Sequence, residues 1–317
     1  MQFRTLGKSD LSVSVAALGC ANFGVRVADD SARAIIDAAF EHGINFFDTA
    51  DVYGGRGGSE RVLGRFLGER RKRIVLATKF GRPMDAAGQG GGTSRSYVGE
   101  AVDASLKRLA TDWIDLLQIH WPYPAVAIEE TLRGFEDVRR AGKVRHFGLS
   151  NFAGWQVVEA QLTARHLGLP EVVSTQDEYN LLVRKPEQEL LPATRAYGVS
   201  LLPYLPLAGG FLTGKYQPGG AIAANARYAQ MPEQRRYLTA ENFRILEGLA
   251  QLARSSGRNM VELACGWLAA QDGVASILTG PSRAEQVAMN VAAAQCVLSG
   301  EELEALRTLL APPASAP

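Results

Sequence analysis

A chain of 317 residues with 46% hydrophobic and 21% charged side chains can bury a full core, and one α/β domain is the simplest expectation. With 34 Lys and Arg against 33 Asp and Glu, the net charge of +1 offers no sustained field to a phosphate polymer or an anionic membrane, so neither nucleic acid nor membrane is expected as a partner. The three cysteines, Cys20, Cys265 and Cys296, lack zinc-ligand or disulfide-framework spacing; they read as thiols in a reducing compartment, and no metal is expected.

The opening MQFRTLGKSD has no apolar stretch behind its basic residues, and the first apolar run, Val13 to Leu18, is too short for a bilayer, which points to a cytoplasmic location. A hairpin formed by 3–6 and 12–15 precedes eight short, β-branched runs that read as strands: 15–20, 45–50, 73–80, 114–120, 144–150, 171–179, 199–207 and 275–280. Helical periodicity falls between them, for example at 31–43, 59–70, 97–110 and 128–142. Gly43, Gly142 and Gly198 sit just past helical runs, where a left-handed cap is wanted.

Eight βα repeats close most naturally into a (β/α)8 TIM barrel, here one domain over 1–317 with a short N-terminal hairpin. A doubly wound sheet would carry a glycine fingerprint after its first strand, yet that strand runs into GCANFG, and neither G-x-G-x-x-G nor a Walker motif occurs. The GGRGG run at 54–58 suggests a phosphate cradle, but a flexible βα loop or an N-cap at Ser59 explains it equally well. Two long βα loops, 81–95 and 209–238, read as lids or binding loops, and the Pro- and Ala-rich tail 311–317 as loose chain.

Barrel chemistry sits at the C-terminal ends of the strands, so those ends can be read for function. Three successive ends are polar: Asp48, Lys79 and His120, with Tyr53 five residues beyond Asp48. Singly, each has a bland explanation as a turn residue, a snorkelling cation, a satisfied core histidine or a packing ring. Together they are harder to dismiss, because an inward lysine needs a counter-charge and Asp48 on the neighbouring strand supplies one.

Long segments also resemble the aldo-keto reductase family, in its order: 43–67, IVLATKFG (74–81), DWIDLLQIHWP (112–122), GKVRHFGLSNF (142–152), QDEYNLL (176–182) and PLAGGFLTGKY (206–216). The resemblance implies NADP(H)-dependent reduction of an aldehyde or ketone, with Asp48, Tyr53, Lys79 and His120 as a catalytic tetrad and Tyr53 as the general acid. It also implies that Ser150, Asn151 and Gln176 hold the nicotinamide carboxamide and that Tyr204 stacks on the ring. Leu205, Pro206, Leu207, Gly209 and Lys215 would follow the pyrophosphate, and Gly280, Ser282, Arg283, Gln286 and Asn290 the adenosine end. Leu205 stands where the family commonly has serine, and Met289 where it has glutamate. Arg283, at a helix start, favours NADP over NAD through a guanidinium and free backbone N–H groups facing a 2′-phosphate.

A small carbonyl substrate is expected against Phe23, Tyr53, His120 and Trp121, in a monomer or weak homo-oligomer. Two other readings stand beside this one. A lysine-dependent aldolase would use Lys79 as a Schiff-base nucleophile, and a cofactor-binding regulatory subunit with slow turnover would resemble the family's potassium-channel beta subunits.

Overall fold

Alternation along short parallel strands gives this chain two apolar layers, one inside a ring of strands and one beneath the surrounding helices. The computed structural model describes residues 1–311 apart from 86, 88, 89 and 225; all but the first residue of the expected tail, 311–317, lies outside the described residues. β1 (Phe3–Thr5) and β2 (Ser12–Ser14) form an antiparallel hairpin. β3 (Ala16–Gly19), β4 (Phe46–Asp48), β5 (Val75–Phe80), β6 (Ile114–Ile119), β7 (Val144–Ser150), β8 (Val172–Glu178), β9 (Ser200–Tyr204) and β10 (Ile277–Thr279) form one sheet in the order β10-β3-β4-β5-β6-β7-β8-β9, with every pair parallel. Its ends meet where Leu201 N donates to Gly273 O at 2.8 Å and Ala275 N to Leu201 O at 3.1 Å. The result is the (β/α)8 barrel that the repeats imply.

Inside, Ala17, Phe46, Ala77, Leu116 and Leu202 pack with Leu6, Leu11 and Val13 of the hairpin, which plugs the N-terminal end of the barrel. The intervening residues, such as Leu18, Phe47, Leu76 and Phe147, face outward against helices Asp29–Glu41, Gly58–Leu67 and Ile128–Arg140. A period of two then dictates the site: Asp48 lies two residues beyond Phe46, Lys79 two beyond Ala77 and Gln118 two beyond Leu116, so each belongs to the inward set at the opposite end from the plug.

Local chemistry sets most boundaries. Ser94 caps helix Arg95–Leu109 by accepting from Tyr97 N, and Gly198 ends helix Leu190–Tyr197 at φ 68°, a conformation that an L side chain resists. Three departures from the sequence reading have a local cause. The seventh barrel strand stops at Tyr204 rather than 207, because Leu205 turns into left-handed space at φ 52°. Ser59 is not an N-cap: helix Gly58–Leu67 starts from Gly57, and the Ser59 hydroxyl bonds to Cys20 O and Thr49 Oγ1, each at 2.8 Å. The 209–238 loop carries short helices at Arg227–Gln230 and Pro232–Tyr237. These pack around stacked Tyr216 and Tyr228 rings (centroids 4.1 Å apart), and Tyr228 OH donates to Ala208 O at 2.6 Å.

Candidate active site

The mouth of the barrel is organised around a buried ion pair. Lys79 Nζ, fully buried, donates to Asp48 Oδ2 at 2.6 Å and to Thr49 O at 2.8 Å, beside the Tyr53 side chain. The ammonium lies 4.9 Å from the Tyr53 ring centroid, and that ring meets the His120 imidazole edge-on at 5.5 Å. The four residues expected at the site, spread over more than seventy positions, therefore converge as neighbours from β4, β5 and the loops after β4 and β6.

Electrostatics assign each group a protonation state. Burial works against the Lys79 charge, but Asp48 and the Tyr53 hydroxyl more than compensate and hold its pKa above the usual lysine value. Burial pushes the Tyr53 phenol above its usual value; Lys79 pulls the other way without reversing the direction. The Lys79 charge favours the phenolate, and desolvation outweighs it. His120 is held well below its ordinary pKa, first by burial and then by the Lys79 and Arg82 charges, so it is neutral. Its Nδ1 is buried with no hydrogen-bond partner among the described residues, leaving an unpaired polar atom beside Tyr53.

The nicotinamide residues expected from the sequence join this cluster through hydrogen bonds. Gln176 Nε2 donates to Asp48 Oδ1 at 2.9 Å, Ser150 Oγ to Gln176 O at 2.9 Å, and Asn151 Nδ2 to His120 O and Ser150 Oγ, both at 3.0 Å. Tyr204 OH donates to Asn151 Oδ1 at 2.7 Å, so strand ends β7, β8 and β9 form one polar wall. Beyond it, Leu205, Pro206, Leu207 and Gly209 follow β9, and Ala208 and Gly209 also have left-handed backbones. The exposed Lys215 folds back so that its Nζ covers Gly210.

At the far end, Asn22 Nδ2 donates to Gly280 O at 3.3 Å, while Ser282, Arg283, Gln286 and Asn290 lie around the start of helix Glu285–Ala294. Arg283 precedes that helix, and the N–H groups of Ser282 and Arg283 are taken by Gln286 Oε1 at 2.8 and 3.3 Å. They are not free, as the sequence reading supposed; an anion there would have to displace the Gln286 carboxamide.

A cavity of about 470 Å³ opens over the cluster, walled by Tyr53, His120, Val52, Arg56, Arg82 and Asp85 among others. Trp121 is 48% exposed next to His120, whereas Phe23, expected on this wall, is completely buried in the outer apolar layer and offers a substrate no surface. Sequence reasoning missed Gln118, whose Nε2 gives Asp48 Oδ1 a second hydrogen bond at 3.1 Å; its place in the inward alternation of β6 was the available signal. It also missed Asp51, 1% exposed and without a well-formed hydrogen bond to either carboxylate oxygen among the described residues, whose pKa is pushed to about 8 by burial and by the neighbouring Glu60.

Comparison with known proteins bears on the same site. The model of the aldo/keto reductase family matches residues 17–311. The chain is 35% identical to YrpG of Bacillus subtilis (strain 168), named an uncharacterized oxidoreductase, over 99% of this chain and 97% of that protein. It is 36% identical to a probable voltage-gated potassium channel subunit beta of Arabidopsis thaliana, over 94% and 92% of the two chains. It is 35% identical to the L-glyceraldehyde 3-phosphate reductase of Escherichia coli (strain K12), over 92% and 87%. With a family match across nearly its whole length, a barrel of the expected topology and oxidoreductases among its relatives, the chain belongs to the aldo/keto reductase family.

Proposed function

We propose that the protein is an NADP(H)-dependent reductase that converts an aldehyde or ketone to an alcohol, with Tyr53 as the proton donor. The observation that carries this reading is the Asp48–Lys79–Tyr53 chain of contacts, with neutral His120 beside it at the floor of an open cavity. Carbonyl reduction requires hydride at carbon and a proton at oxygen; the nicotinamide, when bound, supplies the hydride. The residues fit such a ligand: Ser150, Asn151 and Gln176 present amide and hydroxyl groups on one wall, and Tyr204 presents a ring beside them.

The chain's own groups then have separable roles. Tyr53 keeps its proton at rest, because burial disfavours the phenolate. As the proton leaves, the Lys79 ammonium stabilises the developing phenolate, and Asp48 keeps that ammonium charged and in place. Neutral His120 carries no acidic imidazolium proton, and the one ring N–H it keeps donates the hydrogen bond that orients the substrate oxygen. NADP is preferred over NAD because the exposed Arg283 guanidinium stands beside the helix start that would meet a 2′-phosphate. The 2.6 Å ion pair argues against an aldolase, since a paired lysine remains protonated and is a poor nucleophile.

A regulatory subunit with slow turnover is the second reading, favoured by the likeness to the plant channel subunit. Steady-state oxidation of NADPH and of NADH against a panel of aldehydes and ketones separates the two. The reductase reading requires turnover and a preference for NADPH that Arg283→Ala abolishes. Stoichiometric cofactor binding without turnover across the panel supports the regulatory reading instead.

A further inference from the structure

The GGRGG run remains unexplained by this chemistry. Gly54, Gly55, Arg56 and Gly57 take left-handed φ values of 68°, 71°, 66° and 96° in succession, and only Arg56 carries a side chain to strain that backbone. A side chain strains a backbone in that conformation, so the position is a poor place for an arginine whose side chain has no task. That side chain lines the cavity holding Tyr53 and His120, and Arg82, just past β5, lines the same cavity. Among the described residues neither guanidinium has a hydrogen bond or ion pair, whereas Asp85, also on the wall, has a partner of its own. The Arg82 charge reaches both Tyr53 and His120, which places it near the reacting end of the cavity. The residues suited to the cofactor lie across the mouth, at the ends of β7, β8, β9 and β10, so these two arginines face the substrate side.

We infer that the substrate is itself an anion, an aldehyde or ketone bearing a phosphate or carboxylate whose oxygens are gripped by the Arg56 and Arg82 guanidiniums while its carbonyl lies against Tyr53 and His120. This rests on the reductase reading and narrows its substrate class to oxyanion-bearing carbonyl compounds. Two matched pairs test it with NADPH: glycolaldehyde against glycolaldehyde phosphate, and butyraldehyde against succinic semialdehyde.

The wild type is expected to favour at least one charged member by about tenfold or more in kcat/KM, chiefly through KM. The R56A/R82A double variant loses that preference, its loss on the charged members exceeding its loss on the neutral ones by about tenfold, and Arg82→Lys restores part of it. Calorimetric titration of inorganic phosphate into protein saturated with oxidised NADP gives a second readout, with binding in the wild type that the double variant loses. Equal efficiency on charged and neutral members, equal losses on both in the double variant, or phosphate binding unchanged by it overturns the inference and leaves the reductase intact. Failure to reduce any member of either pair removes the reductase reading and this inference together.

Discussion

Gln176 Nε2 reaches across the barrel mouth from β8 to donate to Asp48 Oδ1 on β4 at 2.9 Å, a contact between residues 128 positions apart. In an eight-stranded ring these strands stand on opposite sides, so the wall suited to the nicotinamide and the ion pair behind Tyr53 share one carboxylate. Gln176→Ala is therefore expected to act at both places. It should lower stability by about 1–3 kcal/mol, as for a buried hydrogen bond to a charged acceptor, and weaken cofactor binding in fluorescence titration. A variant with an unchanged urea midpoint and unchanged cofactor affinity would show that the contact is idle.

Asp48→Asn keeps the shape of the side chain and removes the counter-charge of a fully buried ammonium. Breaking one side of such a pair costs about 3–5 kcal/mol, which should appear in the denaturation midpoint. Because Asp48 helps hold the Lys79 pKa above its usual value, the lysine should become easier to deprotonate, and reduction should fade at a lower pH than in the wild type.

His120 gives a kinetic prediction. Burial and two nearby cations keep it neutral well below its ordinary pKa, so kcat/KM for reduction should show no inflection near 6.5. An ionisation there that disappears in His120→Asn would show that the imidazole titrates normally and is more open to water than its 6% exposure implies.

The fold and the four central residues were legible because both follow short-range rules. Period-two alternation fixes which side chains point inward, and Asp48, Lys79 and His120 stand at or just past the ends of three consecutive strands. Features decided by backbone conformation or by distant packing were not legible. Nothing in the sequence marks Leu205 as the residue that leaves the strand at φ 52°, and Phe23 looks like a pocket wall until the outer apolar layer is seen to enclose it. Gln286 could be assigned to the adenosine end only by resemblance; that its carboxamide occupies the neighbouring N–H groups depends on a rotamer. Asp51 sits in the DTADVYG segment, where a loop position predicts exposure, yet its backbone N–H bonds to Lys79 O and draws it inside.

That burial gives stability a defined pH dependence. An unfolded aspartate ionises near 3.8, whereas folded Asp51 keeps its proton to about 8. Between those values only the unfolded chain releases the proton, so stability present below pH 3.8 is lost progressively up to about pH 8, by at most about 1.4 kcal/mol per pH unit. Asp51→Asn removes this titration. Its thermal midpoint relative to the wild type should therefore climb between pH 5 and pH 8; a difference that stays flat across that range contradicts the buried, protonated state.

The most direct test is Tyr53→Phe, measured in the same sample for cofactor binding by protein fluorescence and for single-turnover aldehyde reduction by NADPH. The phenol is the proton donor in this account, while the nicotinamide wall is built from other strands. Binding should persist, and the rate should fall by about two to four orders of magnitude, the usual worth of a positioned general acid. A variant that binds NADPH and keeps most of the wild-type rate would contradict the account at its centre.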